Sequence, residues 1–172
     1  MKELNSIEEL EKLASGEEKD KLLAATYGYQ PVLDKLKADE NENVSNFAHT
    51  LDKDEDLKFY QNDQELDEKK VQFEQHLKRY KMLFLGSIIT IAIAFITILI
   101  GTIMFFTSGG STTGIIITTI ILTIISVVLF LLSNKAEKIY QRSKYELSQT
   151  KYIYDISKDK VEMLQKEIES DY

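Results

Sequence analysis

The chain of 172 residues contains no cysteine, no tryptophan, one proline and two histidines. Without cysteine, disulfides, thiolate metal sites and cysteine nucleophiles are excluded. His49 and His76 are far apart, and neither stands in a metal-ligand spacing such as H-E-x-x-H. The sequence also lacks a phosphate-binding loop, a dinucleotide fingerprint and a serine nucleophile elbow. We therefore predict a protein that is not an enzyme, with no catalytic residue, no cofactor and no metal ion.

Charge is missing from one long block of the chain. Residues 82–134 are 53 consecutive residues without Asp, Glu, Lys or Arg, although the formal net charge of the whole chain is −7. Residues 1–68 hold 8 Lys/Arg against 19 Asp/Glu, whereas residues 69–81 hold 5 against 1. The acidic N-terminal part argues against nucleic acid as a partner, because it would repel phosphates. Such segregation is typical of a chain that lies partly in lipid and partly in water.

The uncharged block divides into two apolar stretches. A helix rises about 1.5 Å per residue and the hydrocarbon core is about 30 Å thick, so about 20 residues suffice for one crossing. We predict transmembrane helix 1 over residues 82–106, an outer turn over 107–113 and transmembrane helix 2 over 114–133. Both stretches are rich in Ile, Thr and Val, which favour strands in water, but a lone strand in lipid leaves its backbone polar groups unsatisfied. Buried strands of a soluble protein are the alternative interpretation.

Cations border this block at both of its ends and are missing from the predicted outer turn. By the positive-inside rule, both termini are predicted to face the cytoplasm. The first 20 residues lack the apolar core of a signal peptide, so the first span is expected to direct insertion. The cations predicted to set this topology are Lys78, Arg79, Lys81, Lys135, Lys138, Arg142 and Lys144.

Small and hydroxyl side chains recur along each apolar stretch at helical spacing. Small residues let helix backbones approach each other in a membrane, and hydroxyls can bond between helices. These stripes are predicted either to pack against each other within one hairpin, or to face other subunits or a polar path in an oligomer. The residues of this packing or pore face are Gly86, Thr90, Ala94, Thr97, Gly101, Thr119, Thr123 and Ser126.

Heptad spacing predicts two long helices outside the membrane. Residues 51–81 are predicted to lead into the first span as a helix, and residues 134–172 to continue the second. The two are expected to be antiparallel neighbours, with the first ridge against the small residues of the second helix. Pairing of the second seam with another subunit is the alternative. The seam residues are Phe59, Leu66, Phe73 and Tyr80 on the first helix, and Tyr140, Ser143, Leu147, Thr150, Tyr154, Ser157 and Val161 on the second.

The first 50 residues are predicted to form an acidic lobe of short helices. Ser6 and Glu9 form a capping box, and Gly28 and Pro31 punctuate the helices that follow. The lobe is small and polar, so we expect it to be stabilised by docking on the long helices or on a partner. The segment 52–56 copies positions 1, 3 and 5 of a calcium loop but lacks the glycine and the glutamate that such a loop needs. A solvated acidic helix start is the preferred interpretation of that segment.

Together these features predict an all-α membrane protein: a two-helix transmembrane hairpin continued by long antiparallel, coiled-coil-like cytoplasmic helices, plus a small N-terminal helical lobe. This layout, with Gln75 to Lys81 before the first span and Asn134 and Ala136 after the second, resembles the two-transmembrane effector domains of bacterial conflict systems. The nearest are the TRADD-N-associated membrane domain and the SLATT group, and the resemblance covers about residues 58–168.

The resemblance implies a homo-oligomeric subunit of the bacterial inner membrane that perturbs or perforates the bilayer in antiviral defence. Its expected partners are the lipid bilayer, other copies of itself and a cytoplasmic sensor protein that contacts the N-terminal lobe. The alternative function is a membrane-anchored coiled-coil scaffold that presents the acidic lobe to a protein partner.

Overall fold

The computed structural model describes residues 6–108 and 113–171. These residues are all-helical, without a strand. Four short helices come first: α1 (Ile7–Leu13), α2 (Glu18–Thr26), α3 (Gln30–Lys37) and α4 (Glu42–Asp52). A 3-10 turn (Glu55–Leu57) leads into two long helices, α5 (Phe59–Ser108) and α6 (Thr113–Ser170). The predicted all-helical class is therefore confirmed for this part of the chain.

Local signals explain where the short helices begin. The Ser6 hydroxyl accepts a hydrogen bond from the Glu9 backbone N–H at 3.3 Å, so the predicted cap of α1 is present. Pro31 lies in the first turn of α3, where its missing N–H costs nothing. The Asn41 side chain caps α4 by accepting from two backbone N–H groups. Of these helix starts, the cap at Ser6 was predicted from the sequence, whereas the start of α4 after Asn41 was not.

The helix that leads into the first apolar stretch begins at Phe59, later than the predicted start at residue 51. Residues 51–58 instead hold the end of α4 and the 3-10 turn. The Asp54 carboxylate accepts from the Asp56 backbone N–H at 3.2 Å and so caps that turn. Leu57 is buried in the lobe core, so the 3-10 turn lies against that core.

The chain divides into two compact units, and both long helices contribute residues to each. The lobe unit comprises the described residues up to Lys70 and those from Glu146 onward. The apolar unit comprises the described residues of Val71–Tyr145. Of the predicted outer turn, residues 107 and 108 end α5 and residue 113 begins α6, while residues 109–112 lie outside the described residues.

The lobe unit has a conventional hydrophobic core. Its members come from all four short helices, from the 3-10 turn and from both long helices, and burying each large side chain contributes about 1.5–3 kcal/mol. Docking of the lobe on the long helices, one of the two expectations, is therefore observed within this unit. The core residues are Leu10, Ala14, Ala24, Ala25, Tyr27, Val32, Leu33, Leu36, Val44, Ala48, Leu51, Leu57, Phe59 and Val161.

Gly28 makes the junction between α2 and the start of α5. Its backbone is left-handed, with φ of +63°, and a Cβ at this position would collide with the Lys58 Cα. The close approach lets the Tyr60 backbone N–H donate to the Tyr27 carbonyl at 2.8 Å. Only glycine fits a position that is both left-handed and this tightly enclosed.

Candidate membrane-spanning segments and helix seam

Both long helices contain a segment that is long and apolar enough to cross a membrane. A core helix of a soluble protein can be equally long and apolar, but such a helix is mostly buried. Here only 11% of the most apolar segment of α5 and 6% of that of α6 is buried. Phe95 is 63% exposed and Phe106 is 80% exposed. Water is a poor environment for so large an apolar surface, so these faces need lipid or protein to cover them.

The buried face of α5 within the apolar unit includes one residue, Ser87, that the predicted stripe does not contain. Ser87 is 2% exposed and Ala94 8% exposed, and Gly101 is also buried. Gly86, Thr90 and Thr97, which were predicted for this face, are half-buried. Sequence reasoning missed Ser87, although a signal was present: the heptad of Phe59, Leu66, Phe73 and Tyr80 continues by steps of seven to Ser87, Ala94 and Gly101.

On α6, the predicted stripe is only partly on the buried face. Ser126 is 6% exposed and Thr119 is half-buried, but Thr123 is exposed. The prediction used only the helical spacing of these residues along α6, because the position of the neighbouring helix is not given by the sequence. In the structure Leu122 is half-buried, and Thr123, the next residue, points away from the buried face. Ser133, at 2% exposure, belongs to the face as well.

The hydroxyl groups of these stripes bond to their own helix. Thr90 donates to the Gly86 carbonyl at 3.0 Å and to the Ser87 carbonyl at 2.9 Å. Thr97, Thr123 and Ser126 likewise donate to the carbonyl four residues earlier, at 2.8–2.9 Å. Because the hydroxyls find acceptors within the same helix, they can lie in an apolar environment without a partner from a neighbouring helix.

The two glycines of the predicted face differ in how closely they are approached. A Cβ at Gly101 would lie 2.6 Å from Cγ2 of Ile115, which is too close without a shift. A Cβ at Gly86 would lie 3.9 Å from Cδ1 of Leu129, an ordinary contact. Gly101 is therefore the position at which α5 and α6 require a residue without a side chain.

Near Gly101 an open surface groove of about 350 Å³ runs between the two helices. Ile98, Thr102 and Phe105 line it from α5, and Ile116 and Ile120 are among the residues that line it from α6. The groove therefore adjoins the point of close approach at Gly101.

The predicted seam residues outside the apolar stretches are buried or half-buried. On α6 the small residues Ser143, Thr150 and Ser157 are 7%, 8% and 0% exposed, and Val161 is fully buried. On α5 Phe59 and Leu66 are buried. The remaining seam residues, Phe73, Tyr80, Tyr140, Leu147 and Tyr154, are half-buried.

Aromatic rings connect the two helices within each unit. In the apolar unit, the Tyr140 ring lies 5.4 Å from the Phe73 ring and is stacked 5.8 Å from the Tyr80 ring. In the lobe unit, the Phe59 and Tyr154 rings are stacked 5.2 Å apart. Such pairs add about 0.5–1.5 kcal/mol beyond the area they bury. The tyrosines of the seam are thus explained by packing.

The acidic segment that resembled a calcium loop is used differently. Lys160 lies 3.4 Å from a carboxylate oxygen of Asp54 and 3.4 Å from one of Asp56. Leu57, at the position where such a loop needs glycine, is part of the core. The carboxylates therefore attach the 3-10 turn to α6.

Asp63 and Tyr154 are among the titratable groups of the lobe unit whose pKa is raised. Burial, with a smaller contribution from nearby Asp67, raises the pKa of the Asp63 carboxyl above its ordinary value. Burial also raises the pKa of the Tyr154 hydroxyl, and the charge of Asp63 adds to that shift. Both changes favour the neutral forms beside the apolar seam.

The seven cations that were predicted to set the topology are all exposed and all belong to the apolar unit. They occupy its charged ends, immediately before Met82 and after Asn134. Comparison with protein-family models, with curated proteins and with solved structures finds no match to this chain.

Proposed function

We propose that the chain is a two-pass integral membrane protein whose spans pair as a hairpin, with both termini on the cytoplasmic side. The observation that carries the proposal is the exposure of the apolar segments, of which only 11% in α5 and 6% in α6 is buried. The cations at both borders support a common side for the two ends.

Contacts within the apolar unit support an antiparallel pairing of the two spans. Phe73, early in this unit, contacts Tyr140, and Gly101, late in α5, lies against Ile115 at the start of α6. The small faces are turned toward each other while the large apolar side chains point outward. The antiparallel, coiled-coil-like arrangement is proposed to continue along the charged parts of α5 and α6.

Single-cysteine labelling tests the topology cleanly because the chain has no cysteine of its own. We expect Lys81→Cys and Asn134→Cys to react with a membrane-impermeant maleimide only after the cytoplasmic side is opened. Thr107→Cys is expected to react in intact cells. Labelling of the two borders from opposite sides, or recovery of the intact chain as a monomer without detergent, would contradict the proposal.

For the biological role we propose a non-enzymatic, oligomeric effector subunit of the bacterial inner membrane that perturbs or perforates the bilayer in a conflict system. The resemblance described above supports it. Because the chain's own spans occupy the small faces, assembly of subunits would use the outer apolar faces.

Induced expression tests this role. We expect the wild-type chain to depolarise cells and Gly101→Leu to relieve the effect, since a side chain there would collide with Ile115. Gly114→Leu is the matched control, because a Cβ at Gly114 meets nothing within 4 Å. Normal membrane potential at high expression of the wild-type chain would contradict the effector role.

A second candidate function, a membrane-anchored scaffold, is favoured by the lobe unit. Its acidic N-terminal helices share one core with Phe59 and Val161 of the long helices, so the lobe is fixed on them. Such a lobe suits a basic surface on a protein partner, including a sensor of the conflict system.

Truncation of the lobe is a poor test of the scaffold role, because removing α1–α4 would expose Phe59 and Val161. Reversing exposed charges tests the scaffold role without removing residues from the core. Glu8→Lys with Glu11→Lys and Glu40→Lys should abolish capture of a partner by the lobe, whereas Glu65→Lys with Glu68→Lys on α5 should not. Equal effects of the two sets of substitutions would contradict recognition by the lobe.

A further inference from the structure

A groove lies between α5 and α6 at the charged border of the apolar unit. It has a volume of about 470 Å³, which is within the range of roughly 300–1,000 Å³ of small-molecule sites. One part of its lining is cationic or polar: His76 and Arg79 from α5 and Lys135 from α6. The groove therefore brings cations from two helices to one place.

The rest of the lining is apolar and belongs to the predicted spans. Met82 and Leu83 begin the uncharged stretch of α5, and Leu129 and Leu132 end that of α6. A molecule that fills this groove must therefore be anionic at one end and apolar at the other. An acyl chain in this part of the groove would pack against these side chains, and the close packing would hold it there.

The charge around the groove has one sign. The apolar unit contains only two carboxylates, Glu74 and Glu137, and neither lines the groove. Among the described residues, Arg79 and Lys135 have no ion pair. Both side chains are exposed, so their charged groups are available to an anion that approaches from the water side.

We propose that this groove binds one anionic phospholipid of the surrounding membrane. The lipid phosphate lies between Arg79 and Lys135, and an acyl chain follows the apolar side chains of the two spans. Basic pockets between transmembrane helices on the cytoplasmic side are suited to anionic headgroups. The proposal rests on the membrane placement proposed above, because only there is lipid the solvent of the groove.

Native mass spectrometry of the detergent-purified full chain tests the proposal. Phosphatidylglycerol and phosphatidylcholine with identical acyl chains are added at equal concentration, and retained lipid is counted for each. We expect the wild-type chain to retain phosphatidylglycerol preferentially. Arg79→Gln with Lys135→Gln should lower that preference roughly thirtyfold, which corresponds to about 2 kcal/mol for the two cations together.

The matched control is Lys78→Gln with Lys138→Gln, which removes the same charge at the same border from residues that do not line the groove. It should keep the preference, as should Arg79→Lys with Lys135→Arg, which keeps both charges. Far-UV circular dichroism establishes that each variant is folded. Equal retention of the two lipids by the wild-type chain, or an equal loss in the Lys78/Lys138 variant, would overturn the site.

Inorganic phosphate distinguishes a lipid site from a phosphate site. If millimolar phosphate displaces the retained phosphatidylglycerol, the site recognises free phosphate and the lipid proposal is wrong. Cysteine labelling is independent of this measurement. A chain with the proposed topology and no lipid preference refutes only the groove, whereas a soluble chain refutes the membrane placement itself.

Discussion

The two units of the chain treat large apolar side chains in opposite ways. In the lobe unit, Leu33 and Leu36 are fully buried, whereas in the apolar unit Phe95 is 63% exposed and Leu131 is 61% exposed. The lobe unit buries its apolar residues against one another. The apolar unit buries small ones, such as Ser87 and Ala94, and turns its large ones outward. This inversion is expected when the solvent of the second unit is hydrocarbon, because only close packing, and not exclusion of water, then joins the helices.

The largest expected effect compares a leucine in each unit. Leu33→Ala should destabilise the lobe unit by about 2–5 kcal/mol, because it removes a fully buried side chain and leaves a cavity. Leu131→Ala should change stability by less than about 0.5 kcal/mol, since its side chain is replaced by lipid or detergent. Hydrogen exchange of the detergent-purified chain, read by mass spectrometry, reports each unit separately. Similar losses of stability from the two substitutions would contradict the difference between the two units.

The next effect compares two glycines. Gly28→Ala should cost about 1–3 kcal/mol, because alanine resists a φ of +63° and its Cβ would meet the Lys58 backbone. Gly114→Ala, in open space at the start of α6, should be nearly neutral. Thermal unfolding in detergent measures both. A Gly28→Ala chain as stable as the wild type would show that the junction between α2 and α5 relaxes at no cost.

A smaller difference is expected between the two glycines of the helix pair in the apolar unit. Gly101→Ala should weaken the pairing by about 1 kcal/mol, because Ile115 must move, whereas Gly86→Ala fits at 3.9 Å from Leu129. The amount of sodium dodecyl sulfate needed to reduce helicity gives the order of the variants. The reverse order would contradict a closer approach of the two helices at Gly101 than at Gly86.

The smallest effect concerns acid. Hydrogen bonds from Gln30, at 2.6 Å, and from Lys37, at 3.1 Å, lower the pKa of the Asp52 carboxyl. A carboxylate whose folded pKa is lowered stabilises the fold above its unfolded pKa of about 3.9, and this stabilisation disappears as the pH falls through the folded pKa. Asp52→Asn should thus reduce the melting temperature slightly at pH 7, and the difference from the wild type should vanish near pH 2.

Glu65→Gln, at an exposed position of α5, is the control for that comparison and should leave the melting temperature unchanged. A deficit of Asp52→Asn that persists at pH 2 would mean that the amide disturbs packing rather than removing a charge.

Much of the fold is encoded in short-range patterns. The cap at Ser6, the position of Pro31 in α3 and the uncharged stretch after Met82 each depend on neighbouring residues, so they can be predicted directly. The start of α5 at Phe59 could not, because it depends on the buried Leu57 and on Gly28, which are brought together only by the tertiary fold.

The kinds of residue at the buried faces of the two apolar stretches were expected from the sequence, but not all of their positions. Small residues were expected on the faces of both spans, and Ala94, Gly101 and Ser126 are indeed buried. Ser87, which was not predicted, is buried and Thr123, which was predicted, is exposed, because a face on a single helix cannot be oriented without its neighbour. The groove at Arg79 and Lys135 joins residues more than fifty positions apart, and no local pattern could reveal it.

The position of Val161 in the lobe core has a consequence for biosynthesis. This residue is fully buried in one cluster with Leu10 and Leu33, although the whole uncharged stretch separates it from them in the chain. Translation therefore releases the N-terminal helices long before the side chain that completes their core. Until both apolar stretches and Val161 have left the ribosome, the core of the nascent lobe is incomplete. The lobe therefore finishes folding after the apolar stretches have been synthesised, although it precedes them in the chain.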